Sequence, residues 1–418
     1  MRLTAQEEAI LGGKRGPALQ RLLRMQVAVG EFFDAPDLVP VSSAHVMADI
    51  EAIGDAGLAF IEELADAGQQ CAVPTTNNPR SVDFGCWKMV GSDASVVAKE
   101  QRIVQAFRRL GIVTINSCIP YQTIVQPHFG EHLAWGDTGT VIWANAVLGA
   151  RSNFEGGPVA LAAALTGRTP RYGYHLPEQR RGTVRVEVAD GEALREPSDW
   201  GVLGCLAGRG INDYWKVPVF TWSNERQAPP QPGADGLKQL GASLASYGSL
   251  AMFHLPGITA EARTDREAFG GPVPAPALTI EPGEIARCYA SFAPTTERVT
   301  LVVLGTPQLS LLELRRIAQL LDGRRLDADV RLYCTTSQQV KAAADDLGYT
   351  AAIETAGGVV LSTVCFYIMT ANELRQRHGY HQLVTDSAKL ANIIPGYGYH
   401  PVLRRTAACI EAAVSGRI

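Results

Sequence analysis

One stretch of the sequence, residues 116–157, carries more reactive side chains than a buried core element needs. It contains a thiol, a carboxylate, an imidazole, an amide and a guanidinium, on Cys118, Glu131, His132, Asn145 and Arg151. A thiolate can bind a soft metal, a carboxylate or an imidazole can move a proton, and a guanidinium can hold a carboxylate. We therefore expect this stretch to line an active site, with Glu131 and His132 as catalytic groups and Asn145 and Arg151 as substrate contacts.

Cys118 has two interpretations that its spacing does not separate. The apolar, β-branched run 111–115 predicts a buried strand, and Pro120 prevents further strand pairing, so the thiol would lie on a turn. A thiol in that position could serve as a ligand in a binding site. It could equally fill core space as a small apolar side chain, which is the common fate of a buried cysteine.

The charged candidates of the same stretch also have alternatives. Arg151 lies in a glycine-flanked segment, where it could be a solvated surface charge or could bind a carboxylate in bidentate fashion. His128 and His132 flank Glu131, but the order HFGEH is not the HExxH of a helical zinc site. We expect a structural or substrate-facing role for these two rings rather than zinc binding.

Polar residues follow three successive strand candidates in the first third of the chain. The first two strands lead into side chains that we expect to contact a substrate: Ser43, His45, Thr75, Thr76 and Asn77. The third strand leads to Cys118. Ligands bind at this edge of open α/β sheets. His45 remains open between a hydrogen-bonded loop histidine and a substrate contact.

Strands and helices alternate from residue 298 onward. The runs VTLVVLGTP, DVRLYCTTS and GGVVLSTVCFY predict buried strands, and 311–321 and 338–347 predict the helices between them. This βαβαβ order is typical of a parallel sheet. Cys365 lies in or near the end of the last strand, and Ser387 and Lys389 follow as candidate substrate contacts, although Lys389 could also be a solvated helix residue.

The whole pattern predicts an α/β protein of several domains, with α/β/α layers and mostly parallel sheets. Thr4 and Glu7 form a capping box before the first helix, and 17–33, 55–68, 95–110 and 139–150 predict further helices. Segments 224–236 and 269–283 are rich in Pro or Gly and predict linkers. We place an N-terminal region at 1–225, a connecting region at 226–290 and a C-terminal domain at 291–418.

Composition argues against several classes of function. The net charge is 38 − 42 = −4 and no basic cluster occurs, so we expect no nucleic-acid partner. The N-terminus lacks a secretory signal and the apolar run 357–371 is too short to span a bilayer, so we expect no membrane partner and a cytoplasmic location. There is no GxxxxGK[ST] phosphate loop, no GxSxG elbow and no CxxC pair. A small metabolite fits these limits as the substrate.

Long blocks of the sequence resemble the aconitase X family. They include NSCIPYQ, FGEHLAWGDTGTVIWANAVLGARSNFEGG and RTPRYGYHL, with further blocks at 42–45, 74–79, 303–314, 333–337, 356–367 and 385–398. Blocks of this length are more specific than a short glycine motif, and they cover nearly the whole chain. The resemblance implies an aconitase-like hydro-lyase acting on a small carboxylate.

The same resemblance implies iron, held by three cysteines as an iron–sulfur cluster or as a mononuclear site. By motif match this role falls on Cys118, Cys365 and Cys409. Thiolates suit iron, and an iron with an open position is a Lewis acid toward a substrate hydroxyl. A base that removes the proton next to the carboxylate would complete the loss of water.

Two departures from the family pattern bear on the substrate. Many relatives have Asp-Thr-Cys where this chain has Thr363-Val364-Cys365, so an acid that would orient the metal ligands is missing. Archaeal relatives place further cysteines in the block matching 305–308, which has none here. The resemblance therefore favours the bacterial branch, which dehydrates cis-3-hydroxy-L-proline to a pyrroline-2-carboxylate. The alternatives are a dehydratase of a phosphorylated hydroxy acid such as 5-phosphomevalonate, or a non-catalytic iron-binding relative.

The resemblance also implies a partner. The sequence ends at Ile418, whereas fused relatives continue into a small swivelling domain and two-subunit relatives carry that domain on a separate chain. We expect a small subunit to supply the swivelling domain and, with it, the serine base of aconitase-type catalysis.

Overall fold

The computed structural model describes residues 1–223 and 231–418. Within these ranges the chain forms one five-stranded parallel sheet, two three-stranded parallel sheets and one antiparallel strand pair, with helices between the strands. The expected α/β class with mostly parallel sheets is confirmed. In the same ranges, no helix combines the length and the apolar content needed to cross a bilayer.

The N-terminal region is built around a small parallel sheet of strand order β3-β2-β4. Its central strand pairs Ala44 with Thr75 on one side and with Ala134 on the other. The elements of the region are α1 (Ala5–Leu11), α2 (Pro17–Phe32), β1 (Leu38–Pro40), β2 (Ser43–Val46), α3 (Ile50–Asp66), β3 (Thr75–Asn77), α4 (Trp87–Val90), α5 (Ala94–Leu110), β4 (Leu133–Trp135), α6 (Thr138–Ala146), α7 (Gly157–Thr166) and β5 (Arg168–Pro170). The predicted capping box of Thr4 and Glu7 is present at the start of α1.

The prediction of a strand over 111–115 is wrong. The Val113 N–H donates to the Thr75 carbonyl at 2.8 Å, but this single bridge is not extended. Val113 is exposed and Asn116 has a left-handed backbone with φ of 51°, which an L-residue adopts where the chain must turn. The segment leaves the sheet here because it has to cross toward the C-terminal domain.

Residues 184–291, of which 184–225 were assigned to the N-terminal region in the sequence analysis, are called the middle region from here on. They contain a parallel sheet of order β7-β6-β8 and a closely packed pair of helices. Its elements are β6 (Val184–Val188), α8 (Pro197–Ile211), β7 (Pro218–Trp222), α9 (Gly233–Gly248), α10 (Asp265–Phe269), β8 (Leu278–Ile280) and α11 (Glu284–Ser291). Of the predicted linker 224–236, residues 224–230 lie outside the described ranges, and from Gly233 onward the segment is helical rather than irregular.

The C-terminal region is an α/β/α sandwich. Its elements are β9 (Leu301–Leu309), α12 (Leu311–Leu320), β10 (Arg331–Thr336), α13 (Gln338–Asp346), α14 (Tyr349–Ala356), β11 (Val359–Ser362), α15 (Ala371–His378), β12 (Gln382–Thr385), α16 (Ala388–Ile393), β13 (His400–Leu403) and α17 (Thr406–Ser415). Alternate residues of β9 enter two different apolar cores, Val302 on one face and Val303 on the other. Such two-sided burial explains why these strands are continuously apolar in sequence.

The strand order β11-β10-β9-β12-β13 creates a crevice between two neighbouring strands. The chain builds outward from β9 through β10 to β11, then returns to the other side of β9 with β12 and β13. At such a reversal the connections leave in opposite directions, so a ligand-sized crevice opens at the carboxyl ends of the two central strands. Here those ends are Gly305–Leu309 of β9 and the turn after Thr385 of β12.

A substitution at Gly305 tests how tightly this end of the sheet is packed. Its φ is 113°, and a Cβ added there would lie 2.4 Å from the Thr335 carbonyl oxygen of the neighbouring strand. We expect Gly305→Ala to lower the free energy of unfolding by about 2–4 kcal/mol, because both the backbone strain and the clash must be relieved. Chemical denaturation measures this loss. Gly396→Ala is the control, since Gly396 has no positive φ and no atom near its added Cβ, and an equal effect of the two variants would contradict the packing described.

Candidate functional site

Cys118 and Cys365, which are 247 positions apart in sequence (365 − 118), meet at the end of β9. The Cys118 Sγ accepts a hydrogen bond from the Gln308 backbone N–H at 3.3 Å. The Cys365 Sγ lies 3.4 Å from the Thr306 Oγ1, two residues earlier on the same strand. Both side chains are buried, with 4% of each residue exposed. The structure thus brings two distant thiols to one place at the crevice beside β12.

The N-terminal region holds the Cys118 loop against the carboxyl end of its own sheet. The Asn77 amide donates to the Asn116 side chain at 2.9 Å, and the Asn77 side-chain oxygen accepts from the Asn116 backbone N–H at 3.1 Å. The Ser117 N–H then donates to the Asn77 carbonyl at 3.2 Å. Asn77, predicted as a substrate contact, therefore acts in the described structure as the residue that turns the chain toward Cys118.

Cys365 is held by contacts to the turn that precedes it. Thr363 has a left-handed backbone with φ of 68°, an uncommon state for a β-branched residue. Arg80 fixes that turn from the N-terminal region, since its backbone N–H donates to the Thr363 carbonyl at 2.7 Å and its guanidinium donates to the Thr363 Oγ1 at 2.5 Å. Asp83 accepts from the Ser362 N–H at 2.8 Å. Residues of both regions therefore set the position of this thiol.

Burial keeps both thiols protonated unless a cation joins them. It raises the pKa of Cys118 far above that of a free thiol, and the nearby Cys365 raises it further. Burial likewise raises the pKa of Cys365 to about 11, although the hydrogen bond with Thr306 opposes the shift. The Lys389 ammonium lowers the pKa of each thiol and the Asp137 carboxylate raises it. A pair of this kind ionises when a metal ion supplies the compensating charge.

Asp137 belongs to this site although the sequence analysis did not identify it. It lies two residues after the end of β4, is 5% exposed and caps α6, with its Oδ1 accepting from the Gly139 N–H at 3.0 Å. Its charge influences the pKa of both thiols and of His45. In sequence it looks like an ordinary helix cap, so only its place after a strand of the reactive stretch could have indicated it.

Lys389 and Ser387 lie at the same crevice on the β12 side. The Lys389 Nζ is 3.5 Å from the Thr138 Oγ1 at the start of α6, next to Asp137. The Ser387 hydroxyl donates to the Thr306 carbonyl and accepts from the Leu390 N–H at 3.1 Å, so it caps α16 and ties β12 to β9. The structure brings both residues to the thiols, and their contact with substrate stays a prediction.

The other predicted substrate contacts have protein partners. The His45 Nδ1 is 2.8 Å from the Thr76 Oγ1, while its buried Nε2 has no hydrogen-bond partner in the described ranges. The Thr75 hydroxyl donates to Val73 at 2.8 Å, and Ser43 accepts from the Trp135 indole at 3.1 Å. Of these four residues, only His45 has a buried side-chain polar atom without a hydrogen-bond partner, and among the other predicted substrate contacts the Arg151 Nε also has none in the described ranges.

Asn145, predicted as a substrate contact, is hydrogen-bonded to Ser152 in the 151–155 segment. Its amide donates to the Ser152 and Ala251 carbonyls at 2.8 and 2.9 Å, and its oxygen accepts from the Ser152 N–H at 2.9 Å. It is fully buried. Its hydrogen bonds hold one backbone segment in place, and no substrate role is needed to explain them.

Glu131, His132 and Arg151 lie at the amino end of the small sheet, opposite the carboxyl end that faces the thiols. Glu131 and His132 precede β4, whereas Asp137 follows it, and the parallel strands point away from the first pair toward the thiols. Glu131 accepts from the Ser42 hydroxyl at 2.9 Å, and the His132 Nδ1 lies 2.9 Å from the His175 Nδ1. The Arg151 N–H donates to the Glu131 carbonyl at 2.8 Å. The structure does not bring these three residues to Cys118, and their predicted roles remain predictions.

Cys409 also lies apart from the thiol pair. It is fully buried on α17, and its Sγ is 3.5 Å from the Arg404 carbonyl. Burial raises its pKa well above the usual range, with further contributions from Asp386 and Glu196 but none from the other two predicted ligands. Across residues 1–223 and 231–418, no group of three or more His, Cys, Asp or Glu side chains is arranged to hold a metal ion. Two thiols suit iron chemically, but the predicted three-cysteine set does not come together.

Comparison with protein families matches nearly the whole chain to one family. Models described as the first, second and third domains of aconitase X match residues 1–178, 182–290 and 299–415, respectively. The crystal structure of Thermococcus kodakaraensis aconitase X in its holo form is 34% identical, with a TM-score of 0.85 over 99% of this chain and 100% of that chain.

Curated relatives of similar identity carry two different names. The phosphomevalonate dehydratase large subunit of Methanocaldococcus jannaschii is 37% identical over 95% of this chain and 96% of that protein. Its counterpart from Methanothermobacter thermautotrophicus is 38% identical over 93% of each. The cis-3-hydroxy-L-proline dehydratase of Pseudomonas aeruginosa is 34% identical over 100% of this chain and 70% of that protein.

His45 gives a pH-dependent test of the site geometry. Burial lowers the pKa of His45 from 6.5 to about 4, so the folded protein binds fewer protons than the unfolded chain between these values. Stability that His45 contributes is therefore present above pH 6.5 and is lost as the pH falls toward 4. From about pH 7 to about pH 5 we expect the wild type to lose about 2 kcal/mol more than His45→Asn, measured by urea unfolding. Equal losses in the two proteins would contradict the burial of a neutral imidazole.

Proposed function

The chain belongs to the aconitase X family of dehydratases, and from this premise we propose that it is the large subunit of an enzyme that removes water from cis-3-hydroxy-L-proline to give a pyrroline-2-carboxylate. The observation that carries the proposal is the meeting of Cys118 and Cys365 beside Lys389 and Asp137. We further propose iron as the cofactor, a cytoplasmic location and a small partner subunit, because several relatives are named large subunits.

The charges around the thiols favour a small zwitterionic substrate. Lys389 and Asp137 are the charged non-thiol groups whose fields affect the pKa of both Cys118 and Cys365. An ammonium group can hold a substrate carboxylate, and a carboxylate can hold the secondary ammonium of a proline ring. A phosphorylated substrate carries about two further negative charges at its phosphate and would be expected to need an arginine or lysine cluster.

In the proposed reaction the chain's own residues bind and orient the substrate. Lys389 would hold its carboxylate and stabilise the negative charge that develops when the adjacent proton leaves. His45 stays neutral near pH 7, and its unpaired Nε2 offers a hydrogen-bond position. Iron bound to Cys118 and Cys365 would supply Lewis acidity toward the departing hydroxyl. The proton acceptor is assigned to the partner subunit, as the family resemblance implies.

Dehydration of 5-phosphomevalonate is the second candidate. It is favoured by the relatives with 37% and 38% identity, whose names specify phosphomevalonate. A third possibility, a non-catalytic iron-binding relative, is motivated by the Thr363-Val364-Cys365 sequence. A direct assay on both substrates separates the three.

Turnover by the complex with its small subunit tests the proposal. We expect the wild-type complex to dehydrate cis-3-hydroxy-L-proline, and we expect Cys118→Ser and Cys365→Ser to lower kcat/KM by about 100-fold or more, because each removes a thiolate from the metal site. Cys205→Ser is the matched control, since Cys205 is a fully buried cysteine of the middle region whose Sγ lies 3.9 Å from the Cys288 Sγ.

Three other results of this assay would each favour a different hypothesis. Turnover of 5-phosphomevalonate alone would replace the proposed substrate with the second candidate. Iron binding without turnover of either compound would favour the non-catalytic iron-binding relative. Full activity of Cys118→Ser would remove the thiol pair from the mechanism.

A further inference from the structure

One buried side chain joins the segments that carry the two thiols. Gln308 is fully buried on β9, and its side-chain oxygen accepts from the Cys118 backbone N–H at 3.3 Å. Its amide nitrogen donates to the carbonyl of Val364, the residue before Cys365, at 3.1 Å. We propose that Gln308 is the positioning residue that sets the separation between Cys118 and Cys365. The inference rests on the proposed role of this thiol pair as a metal-binding site.

The remaining contacts of Gln308 extend the same junction. Its amide nitrogen is also 2.9 Å from the Thr336 carbonyl of β10 and 3.3 Å from the Asn116 carbonyl in the Cys118 loop. One carboxamide is therefore within hydrogen-bonding distance of three carbonyls and one backbone N–H, which come from three separate segments. No solvent reaches the side chain to replace these bonds. Loss of the amide would leave several buried polar groups unpaired, which is costly.

The backbone of Gln308 is anchored from two sides. Its N–H donates to the Cys118 Sγ at 3.3 Å, and its carbonyl accepts from the Lys238 ammonium at 3.2 Å. Lys238 is itself buried and forms ion pairs with Asp235 and Glu313. The Lys238 contact and the pairing of the neighbouring Leu309 with Thr336 of β10 fix the main chain at Gln308 independently of the side chain. A change of the side chain should alter how the thiols are spaced while β9 stays in place.

The nature of the amide makes the proposal testable. Glutamate has the same shape but, when ionised, has no N–H to donate to the surrounding carbonyls, and methionine fills similar space with no polar donor. Gln382 provides a matched control at the other end of the same sheet. It is buried, accepts from the Thr295 N–H at 2.9 Å and donates to the Thr296 carbonyl at 3.2 Å.

Binding of Cd²⁺ reports on the thiol spacing without turnover. Titration of the protein with Cd²⁺ produces a sulfur-to-metal absorbance band in the ultraviolet when thiolates bind the ion. Because Cys205 and Cys288 lie 3.9 Å apart and could also bind Cd²⁺, all proteins carry Cys205→Ser and Cys288→Ser. The variants are Gln308→Glu, Gln308→Met and the control Gln382→Glu, with thermal unfolding measured alongside.

We expect one Cd²⁺ site that disappears in Cys118→Ser and in Cys365→Ser. Gln308→Glu and Gln308→Met should weaken it by roughly tenfold or more, since the thiols lose their shared support, while Gln382→Glu keeps wild-type affinity even where its Tm falls as far. Unchanged affinity in a folded Gln308 variant would overturn the positioning role, whatever the enzyme turns over. A Cd²⁺ site indifferent to Cys118 or Cys365 would overturn it as well.

Discussion

The hydrogen bonds between Gln308 and the Cys118 loop join the two halves of the site. The small N-terminal sheet and the five-stranded C-terminal sheet each present their carboxyl edge to this junction. Asn77 turns the chain at the end of the first sheet, and Gln308 receives it at the end of the second. Together with the Arg80 and Asp83 contacts to the turn before Cys365, this contact brings thiols from two regions to one crevice.

Electrostatics explains why such a junction suits a cation. Burial raises the pKa of both thiols, Asp137 adds to the effect on each, and the nearby Cys365 raises the pKa of Cys118 further. Lys389 and local hydrogen bonds oppose the shift, and both thiols still have raised pKa values. The arrangement therefore favours neutral thiols until a positive ion is present. It also leaves one cationic and one anionic side chain beside the pair. These charges are complementary to the carboxylate and the ammonium group of a small amino acid.

The sequence was sufficient to predict the C-terminal βαβαβ order, because strands buried on both faces are apolar throughout and the helices between them begin with clear caps. The thiol pair came from the family resemblance, since no local spacing connects Cys118 to Cys365. The strand expected over 111–115 failed because its apolar residues cross between regions, leaving Val113 exposed. Asp137 and Gln308 were missed for a common reason. A helix cap and a strand glutamine look structural in sequence, and only the tertiary fold shows that their partners flank the thiols.

The same limit applies to the reactive stretch 116–157. Its side chains are close in sequence, but β4 separates them, so Glu131 and His132 lie before the strand and Asp137 after it.

The most direct test of iron binding by the thiol pair is anomalous scattering at the iron absorption edge from crystals of the complex purified without oxygen. We expect an iron peak beside the Cys118 and Cys365 sulfurs, close to Lys389 and Asp137. Iron bound elsewhere, with these two thiols free, would contradict it.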